Sequence, residues 1–263
     1  MWYKVNKIRV GTQQVRPVNF ATQWPCPDGF HVPLQSEIKS LINAGISLGA
    51  WVSDNWNWVR VYLKMPYAWC RKRQDSNITD RWNIWYYATS SANISDSNTS
   101  YSYVILSGQN DSVPLYRSLG IAIRPFKNIP VVPDNSWTKL KAWTWSAGIY
   151  WNSSLWLISI SSDGINWITI SDKNLWATTV YNNWDTLSEA NCGKYYQRWN
   201  NYWFPFTWSV TLSSSQVNAG SYWPWNYYNS STFIVRASDT APKAWDSSWN
   251  NNLRWWVDWN VPV

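Results

Sequence analysis

The stretch CPDGFHVP, residues 26–33, stands directly before the one segment of the chain with clear helical periodicity. In that segment apolar residues recur with the i, i+4, i+7, i+8 spacing of one helical face, at Leu34, Ile38, Leu41 and Ile42. Ser36 near the start, and Gly45 or Gly49 near the end, are suitable start and stop signals. The sequence therefore predicts one helix over about residues 34–48.

Most of the remaining chain consists of short alternating, β-branched or aromatic runs bounded by Ser, Asn, Asp, Gly or Pro, which is typical of strands. The clearest runs are Val59 to Leu63, Ser102 to Leu106, Gly120 to Arg124, Leu155 to Ser159 and Asn166 to Ile170. We therefore expect an α+β fold that is mainly β, with one clear helix and long polar loops.

Composition and charge narrow the class of protein. The 263 residues include 22 Lys and Arg against 15 Asp and Glu, a net charge of +7, and 45% of them are hydrophobic. This is a globular composition, since disordered chains are poor in apolar residues. No run approaches the roughly 18 apolar residues that span a bilayer, and residues 1–14 lack the apolar region of a signal peptide. The sequence predicts no membrane insertion.

A proline-containing segment without periodicity divides the chain near its middle. The stretch NIPVVPDN, residues 128–135, holds two prolines and no periodicity, which is typical of a linker. We therefore predict a first portion, residues 1–129, and a second portion, residues 130–263.

Four segments of the first portion together resemble one known family. Besides the stretch at 26–33, they are MPYAWCR at 65–71, DRWNIWYYATSS at 80–91 and GIAIRP at 120–125. With Glu37 near the start of the predicted helix, they are similar to the signature segments of the Fibrobacter succinogenes major paralogous domain. The resemblance implies a C-type-lectin-like fold, which that family shares with formylglycine-generating-type domains and with the variable proteins of diversity-generating retroelements.

The resemblance has departures. Pro125 stands where the family has a closing cysteine, so Cys26 lacks its expected partner, and Cys70 stands where an aromatic residue is usual. In the second portion the segments SDGINWITI, DKNL and ANCGKYYQ resemble parts that precede the CPDGFH-like motif in the family, whereas here they follow it. The first portion thus resembles the back of one domain and the second portion the front of another, as in a fragment of a tandem array. The alternative is that the two portions assemble in permuted order into one domain.

Tryptophan is the compositional anomaly of the chain. There are 26 tryptophans but only 10 glycines, and many of the tryptophans stand in turn-like contexts, where positive φ favours glycine. Because some bacterial lineages read the codon UGA as glycine where common alternative tables read tryptophan, we hypothesise that most of them are glycines in the natural protein. Those in strand-like or family-typical contexts are interpreted as genuine: Trp137, Trp151, Trp167 and Trp245. The alternative is a real aromatic platform that stacks on sugars.

Patterns for catalysis and for metal binding are scarce. His31 is the only histidine, which excludes two-histidine metal sites and paired-histidine acid–base chemistry. The chain has no G-x-x-x-x-G-K-[ST] or G-x-G-x-x-G motif. The contexts of Cys26, Cys70 and Cys192 do not match the reactive cysteine pair of formylglycine-generating relatives. We predict a protein that is not an enzyme and that needs no metal or cofactor.

The basic residues do not indicate a nucleic-acid partner. Positive charge among aromatics is the footprint of many nucleic-acid binders, and residues 71–73 form one basic run. The charge is otherwise scattered and no nucleic-acid motif accompanies it, so we interpret the run as a solvated rim.

The polar stretch between residues 75 and 103 is the candidate ligand-binding region. Tyrosine offers a large contact area with few torsions to freeze, and Ser and Asn offer adaptable hydrogen bonds. In the family resemblance this stretch occupies the region where retroelement-diversified proteins vary. The candidate binding residues are Asn77, Asp80, Arg81, Asn83, Tyr86, Tyr87, Asn93, Asp96, Asn98, Tyr101 and Tyr103.

These observations predict a non-enzymatic recognition or adhesion protein that binds a protein or glycan ligand. The resemblance implies an extracellular or cell-surface location. Two alternatives stay open: a structural surface module that associates with itself, and a carbohydrate-binding module if the tryptophans are real.

Overall fold

The structure is a computed structural model that describes most of the chain between residues 25 and 213 and short pieces outside it. The described residues are 9–10, 13–14, 25–49, 57–72, 75–79, 84–93, 99–106, 109–116, 119–142, 147–183, 185–197, 202–206, 210–213 and 231–235.

The described residues form mainly β structure with several sheets. The strands are β1 (Arg9–Val10), β2 (Gln13–Gln14), β3 (Phe30–His31), β4 (Cys70–Arg71), β5 (Ile78–Thr79), β6 (Ile84–Ala92), β7 (Thr99–Leu106), β8 (Gln109–Tyr116), β9 (Gly120–Ala122), β10 (Phe126–Lys127), β11 (Thr138–Ala142), β12 (Gly148–Asn152), β13 (Leu157–Ser161), β14 (Ile168–Ser171), β15 (Tyr195–Gln197), β16 (Thr211–Ser213) and β17 (Thr232–Ile234). The helices are α1 (Gln35–Ser47), α2 (Asn57–Leu63) and α3 (Glu189–Cys192). The predicted α+β class, mainly β, is confirmed at this level.

Two larger sheets organise the molecule. One has the order β5-β4-β9-β6-β7-β8, with β15 paired to β9, and the other has the order β11-β12-β13-β14-β10-β3. Most of their strand pairs are antiparallel, whereas β6 runs parallel to β9. Two small sheets, β1 with β2 and β16 with β17, complete the described pairing.

Helix α1 confirms the predicted helix and begins with a side-chain cap. The Glu37 carboxylate accepts a hydrogen bond from the backbone N–H of Leu34 at 2.7 Å, which satisfies one of the free donors of the first turn. The residues that it buries lie on the predicted face, namely Ile38, Leu41 and Ile42, together with Gly45. The periodicity therefore predicted both the helix and its core face.

Helix α2 corrects the predicted strand at Val59 to Leu63. It runs over Asn57–Leu63, and its buried residues Trp58, Val59 and Leu63 lie against the main core. Two valines favour a strand, but packing of one helical face overrides such local propensities. Trp58, one of the tryptophans in a turn-like sequence context, lies in the first turn of this helix.

The main core lies between α1, α2 and the two larger sheets. Buried residues of the first portion, such as Leu41 and Tyr87, belong to one cluster with Ile149, Ile160 and Ile170 of the second portion. The three cysteines are buried and free, so Cys26 forms no disulfide in this structure.

Candidate ligand-binding face

The hairpin β6–β7 carries four of the predicted binding residues. In its register Tyr87 lies opposite Tyr103, and Tyr86 lies opposite Val104. Successive side chains of a strand project to opposite faces. Tyr101, two positions from Tyr103, therefore shares a face with Tyr87 and Tyr103, whereas Tyr86 lies on the other face.

Tyr87 and Tyr103 are core residues. They are 0% and 3% exposed, and the Tyr87 hydroxyl donates to the Pro66 carbonyl at 2.9 Å. Burial raises the pKa of Tyr87, so its phenol stays protonated. These two tyrosines hold the hairpin in place and offer no surface to a ligand in this conformation.

Tyr86 and Tyr101 are the two hairpin tyrosines with accessible side chains, each of intermediate exposure. The backbone N–H of Tyr86 donates to the Ala68 carbonyl at 2.9 Å. The Tyr101 carbonyl accepts a hydrogen bond from the Thr89 hydroxyl. The backbone under both side chains is therefore fixed, although the two side chains lie on opposite faces.

Asn93 closes the loop that joins β6 to β7. It is buried, and its Nδ2 donates to the Thr99 hydroxyl at 2.7 Å. The loop between these two residues contains two candidate residues, Asp96 and Asn98, which lie outside the described residues. Asn93 thus supports the base of a predicted binding loop and does not itself present a surface.

Asn77 lies in an exposed turn at the other end of the sheet. Its backbone N–H and its side-chain amide donate to the two carboxylate oxygens of Asp75 at 2.9 and 2.6 Å. The turn leads into β5, and two strands separate β5 from β6, which places Asn77 about 14 Å from the nearer strand of the hairpin across the sheet. Asp80, Arg81 and Asn83, the candidates that follow, lie outside the described residues.

The structure therefore spreads the described candidates over the sheet and does not gather them into one site. Asn77, Tyr86 and Tyr101 keep accessible side chains, while Tyr87 and Tyr103 lie in the core. Strand alternation predicts that Tyr86 and Tyr87 face opposite sides of the sheet. The sequence does not show which of the two faces inward.

His31, the only histidine, has a structural environment. It is buried, with Nδ1 2.7 Å from the Asn128 side-chain oxygen and Nε2 3.1 Å from a carboxylate oxygen of Glu37. It therefore links β3 to the start of α1 and to the residue that follows β10.

Exposed tryptophans form a surface feature that lies outside the set of predicted binding residues. Trp156 and Trp176 are 59% and 61% exposed. The ammonium group of Lys173 lies 4.0 Å from the ring centroid of Trp156, and that of Lys194 lies 4.1 Å from the ring centroid of Trp203. Sequence reasoning passed over these rings because it interpreted most tryptophans as glycine positions.

Neither a metal-binding cluster nor a membrane-spanning helix occurs among the described residues. They contain no group of three or more His, Cys, Asp and Glu side chains arranged to hold a metal ion. In the same residues no helix combines the length and the apolar character needed to cross a membrane.

Comparison with protein-family models, with curated proteins and with solved structures found no match to this chain.

Proposed function

We propose that this protein is a non-enzymatic recognition or adhesion module, extracellular or at the cell surface, with a C-type-lectin-like scaffold. Its ligand is a protein or a glycan. The binding surface lies on one face of the hairpin β6–β7 and its adjoining loops, where Tyr86 on one face and Tyr101 on the other offer aromatic contact area. The observation that carries the proposal is the pairing of accessible tyrosines with buried ones on the same two strands.

The physical argument for this surface is that the backbone under its accessible tyrosines is already ordered. Tyr86 is adjacent to Tyr87, which is buried and hydrogen-bonded to Pro66, and Tyr101 stands two residues before the buried Tyr103. A side chain whose backbone is already ordered loses less conformational entropy when it binds. Tyrosine adds a large contact area while freezing only two torsions.

The loops supply polar contacts in the same way. Asn93 and Thr99 close the loop that carries Asp96 and Asn98, and Asp75 orders the turn that carries Asn77. Short loops with fixed ends on a rigid sheet are a common arrangement for binding residues.

The test uses the full chain, fluorescently labelled, on two printed arrays, one of defined glycans and one of purified cell-surface and matrix proteins. We expect saturable binding to a small set of spots by the wild type. Alanine at the tyrosine of the bound face, Tyr86→Ala or Tyr101→Ala, should lower that binding by about tenfold, since a buried aromatic contact is often worth more than about 1 kcal/mol. The variant on the opposite face should change it little.

The control is Lys39→Ala, an exposed residue of α1, which should leave binding unchanged. Thermal unfolding of every variant is measured in parallel. Absence of saturable binding on both arrays, or equal binding by all variants, would contradict the proposal.

The carbohydrate-binding alternative has its own supporting observation. If the tryptophans are real, Trp156 and Trp176 offer exposed indole faces, and such faces stack on sugar rings. Binding to the glycan array that Trp156→Ala abolishes and that Tyr86→Ala spares would favour this alternative.

A further inference from the structure

The two portions of the chain share both larger sheets. Phe126 of β10, in the first portion, pairs with His31 on one side and with Ile170 of β14 on the other. In the other sheet, β15 of the second portion pairs with β9 of the first. Strands of the second portion therefore continue sheets that the first portion begins.

Three buried arginines of the first portion connect it to the second. Arg60 donates to the Tyr67 hydroxyl and to Asn183 Oδ1, Arg71 to the carbonyls of Ser76 and Pro205, and Arg124 to the carbonyls of Lys64 and Ser171. Each guanidinium thus has at least one acceptor in its own portion and at least one in the other.

The energetics of these arginines require the second portion to be in place. A buried guanidinium that loses a hydrogen-bond acceptor pays a desolvation penalty that nothing compensates. Burial lowers the pKa of Arg124, and the charge of Asp172, in the second portion, opposes that shift. The first portion by itself would leave all three guanidinium groups short of acceptors.

Apolar contacts cover the rest of the same interface. Trp69 stacks on Phe206 with a centroid distance of 5.3 Å, and Ile158 and Ile170 belong to the same buried cluster as Tyr87. Two backbone bonds cross as well, from Leu175 N to the Ile123 carbonyl and from Ser171 N to the Pro125 carbonyl, both at 2.9 Å.

The covalent connection between the portions is exposed at its centre. Asp134, Asn135 and Ser136 are exposed. Before them, Asn128 is hydrogen-bonded to Gly29 and His31 of the first portion, and Val131 is hydrogen-bonded to Ser159 and Thr169 of the second. Each end of the connection is therefore bonded to its own portion, whereas the sheets and the arginines bond one portion to the other.

We propose that the second portion is a non-covalent complement of the first, and that it binds the first portion through β10–β14, β9–β15 and the three arginines without needing the connection through residues 128–135. The partner that this face of the first portion fits is thus the described segment of the second portion, residues 147–183, 185–197 and 202–206. The proposal selects assembly in permuted order into one domain. It does not depend on the recognition function proposed above.

The experiment is a cut of the full chain at one point. A recognition site for a sequence-specific protease is inserted between Asp134 and Asn135, and the purified chain is then cleaved. We expect the two pieces to elute together in size-exclusion chromatography. The Tm of the cut chain should rise with protein concentration while that of the uncut chain does not, because association of the pieces is bimolecular. Separation or precipitation of the pieces on cleavage would overturn the proposal.

A pair of variants of the cut chain tests the arginines. Arg71→Met should raise the dissociation constant of the pieces by about 30-fold or more, since truncation of a buried hydrogen-bonded charge costs about 2 kcal/mol or more. Lys39→Met, at an exposed position of α1, should leave it unchanged. Equal dissociation constants for the two variants would show that the arginines do not hold the portions together. The cut wild-type chain gives its answer whether or not the arginine variant folds well.

Discussion

The sheet strands and the turns of residues 147–183 use tryptophan in two different ways. On or beside the strands, Trp151 donates its indole N–H to the Asp172 carboxylate at 2.9 Å, and Trp167 donates to the Gly164 carbonyl at 3.2 Å. In the turns, Trp156 and Trp176 have φ of 58° and 63° and point mainly into solvent. The left-handed region costs an L-residue roughly 1–2 kcal/mol, so the turns have the backbone that glycine favours.

The two tryptophans at positive φ therefore agree with the hypothesis that many of these residues are glycines in the natural protein. Trp151 and Trp167 were interpreted as genuine from their sequence context, and both have hydrogen-bonded indoles. The comparison shows that the backbone conformation separates two kinds of tryptophan that look alike in the sequence.

Two buried tryptophans of the first portion extend the comparison. Trp58 and Trp85 are 1% and 2% exposed, and within the described residues neither indole N–H has a hydrogen-bond acceptor. An unsatisfied buried donor costs about 1–3 kcal/mol. Trp85 stacks on Tyr67 with a centroid distance of 4.5 Å.

The largest difference that we expect between the two kinds of tryptophan is in the identity of the residue in the natural protein. Peptide mass measurement on the protein from its natural source should find glycine at positions 156 and 176 and tryptophan at positions 151 and 167. Tryptophan at all four positions would remove the distinction and would strengthen the carbohydrate-binding alternative.

Trp151→Phe should cause the largest loss of stability. Asp172 is fully buried and accepts the Trp151 hydrogen bond through one carboxylate oxygen, so the variant should lower the free energy of unfolding at pH 7 by about 2 kcal/mol. Trp167→Phe is the matched control. Its acceptor lies in the half-exposed turn at Gly164, where water can replace the indole, and its loss should be clearly smaller in chemical denaturation.

The same variant should show a pH dependence. Burial raises the pKa of Asp172, while the Trp151 bond and the Arg124 charge oppose the shift. Loss of the indole should raise this pKa further, so the folded state should take up a proton more readily than the unfolded state does. The deficit of Trp151→Phe should therefore shrink as the pH falls from 7 towards the ordinary pKa of an aspartate. A deficit that grows on acidification would contradict this account.

Trp156→Gly should raise the free energy of unfolding by about 0.5 kcal/mol. Relief of the left-handed strain outweighs the greater entropy of the unfolded glycine chain and the loss of the Lys173 contact. Leu155→Gly is the control in the same exposed turn. Leu155 is not at positive φ, so that variant should lose about 0.5–1 kcal/mol. Equal signs for the two variants in thermal unfolding would show that the backbone at position 156 is not the cause.

The smallest effect is expected for Trp85→Phe. The variant removes a buried N–H that has no acceptor in the described residues, and this gain offsets the small cavity that the lost ring leaves. The free energy of unfolding should change by less than about 0.5 kcal/mol. A loss as large as that of Trp151→Phe would mean that the Trp85 indole makes a contact that its burial alone does not reveal.

Local sequence patterns predicted part of this fold. The spacing of Leu41 and its apolar neighbours predicted α1, because one helical face must be buried whatever lies against it. The same kind of reasoning was wrong for α2, because the two valines favour a strand while the core accepts Trp58, Val59 and Leu63 on one helical face.

The candidate binding residues were likewise predicted only in part from the sequence. Composition led to the stretch between residues 75 and 103, and the structure places exposed or half-exposed side chains there at Asn77, Tyr86 and Tyr101. It also places Tyr87 and Tyr103 in the core. Both sets are tyrosines on strands, and only the position of the core decides which face is inside.

By itself, the sequence determined the α+β, mainly β class, the first helix and the polar stretch that carries the candidate residues, because each depends on local spacing or composition. Only the tertiary structure decided that the two portions share both larger sheets, that Arg60, Arg71 and Arg124 cross between them, and which tryptophans have partners. Those features depend on acceptors and strands far away along the chain, and no local pattern encodes which distant carbonyl a buried donor will meet.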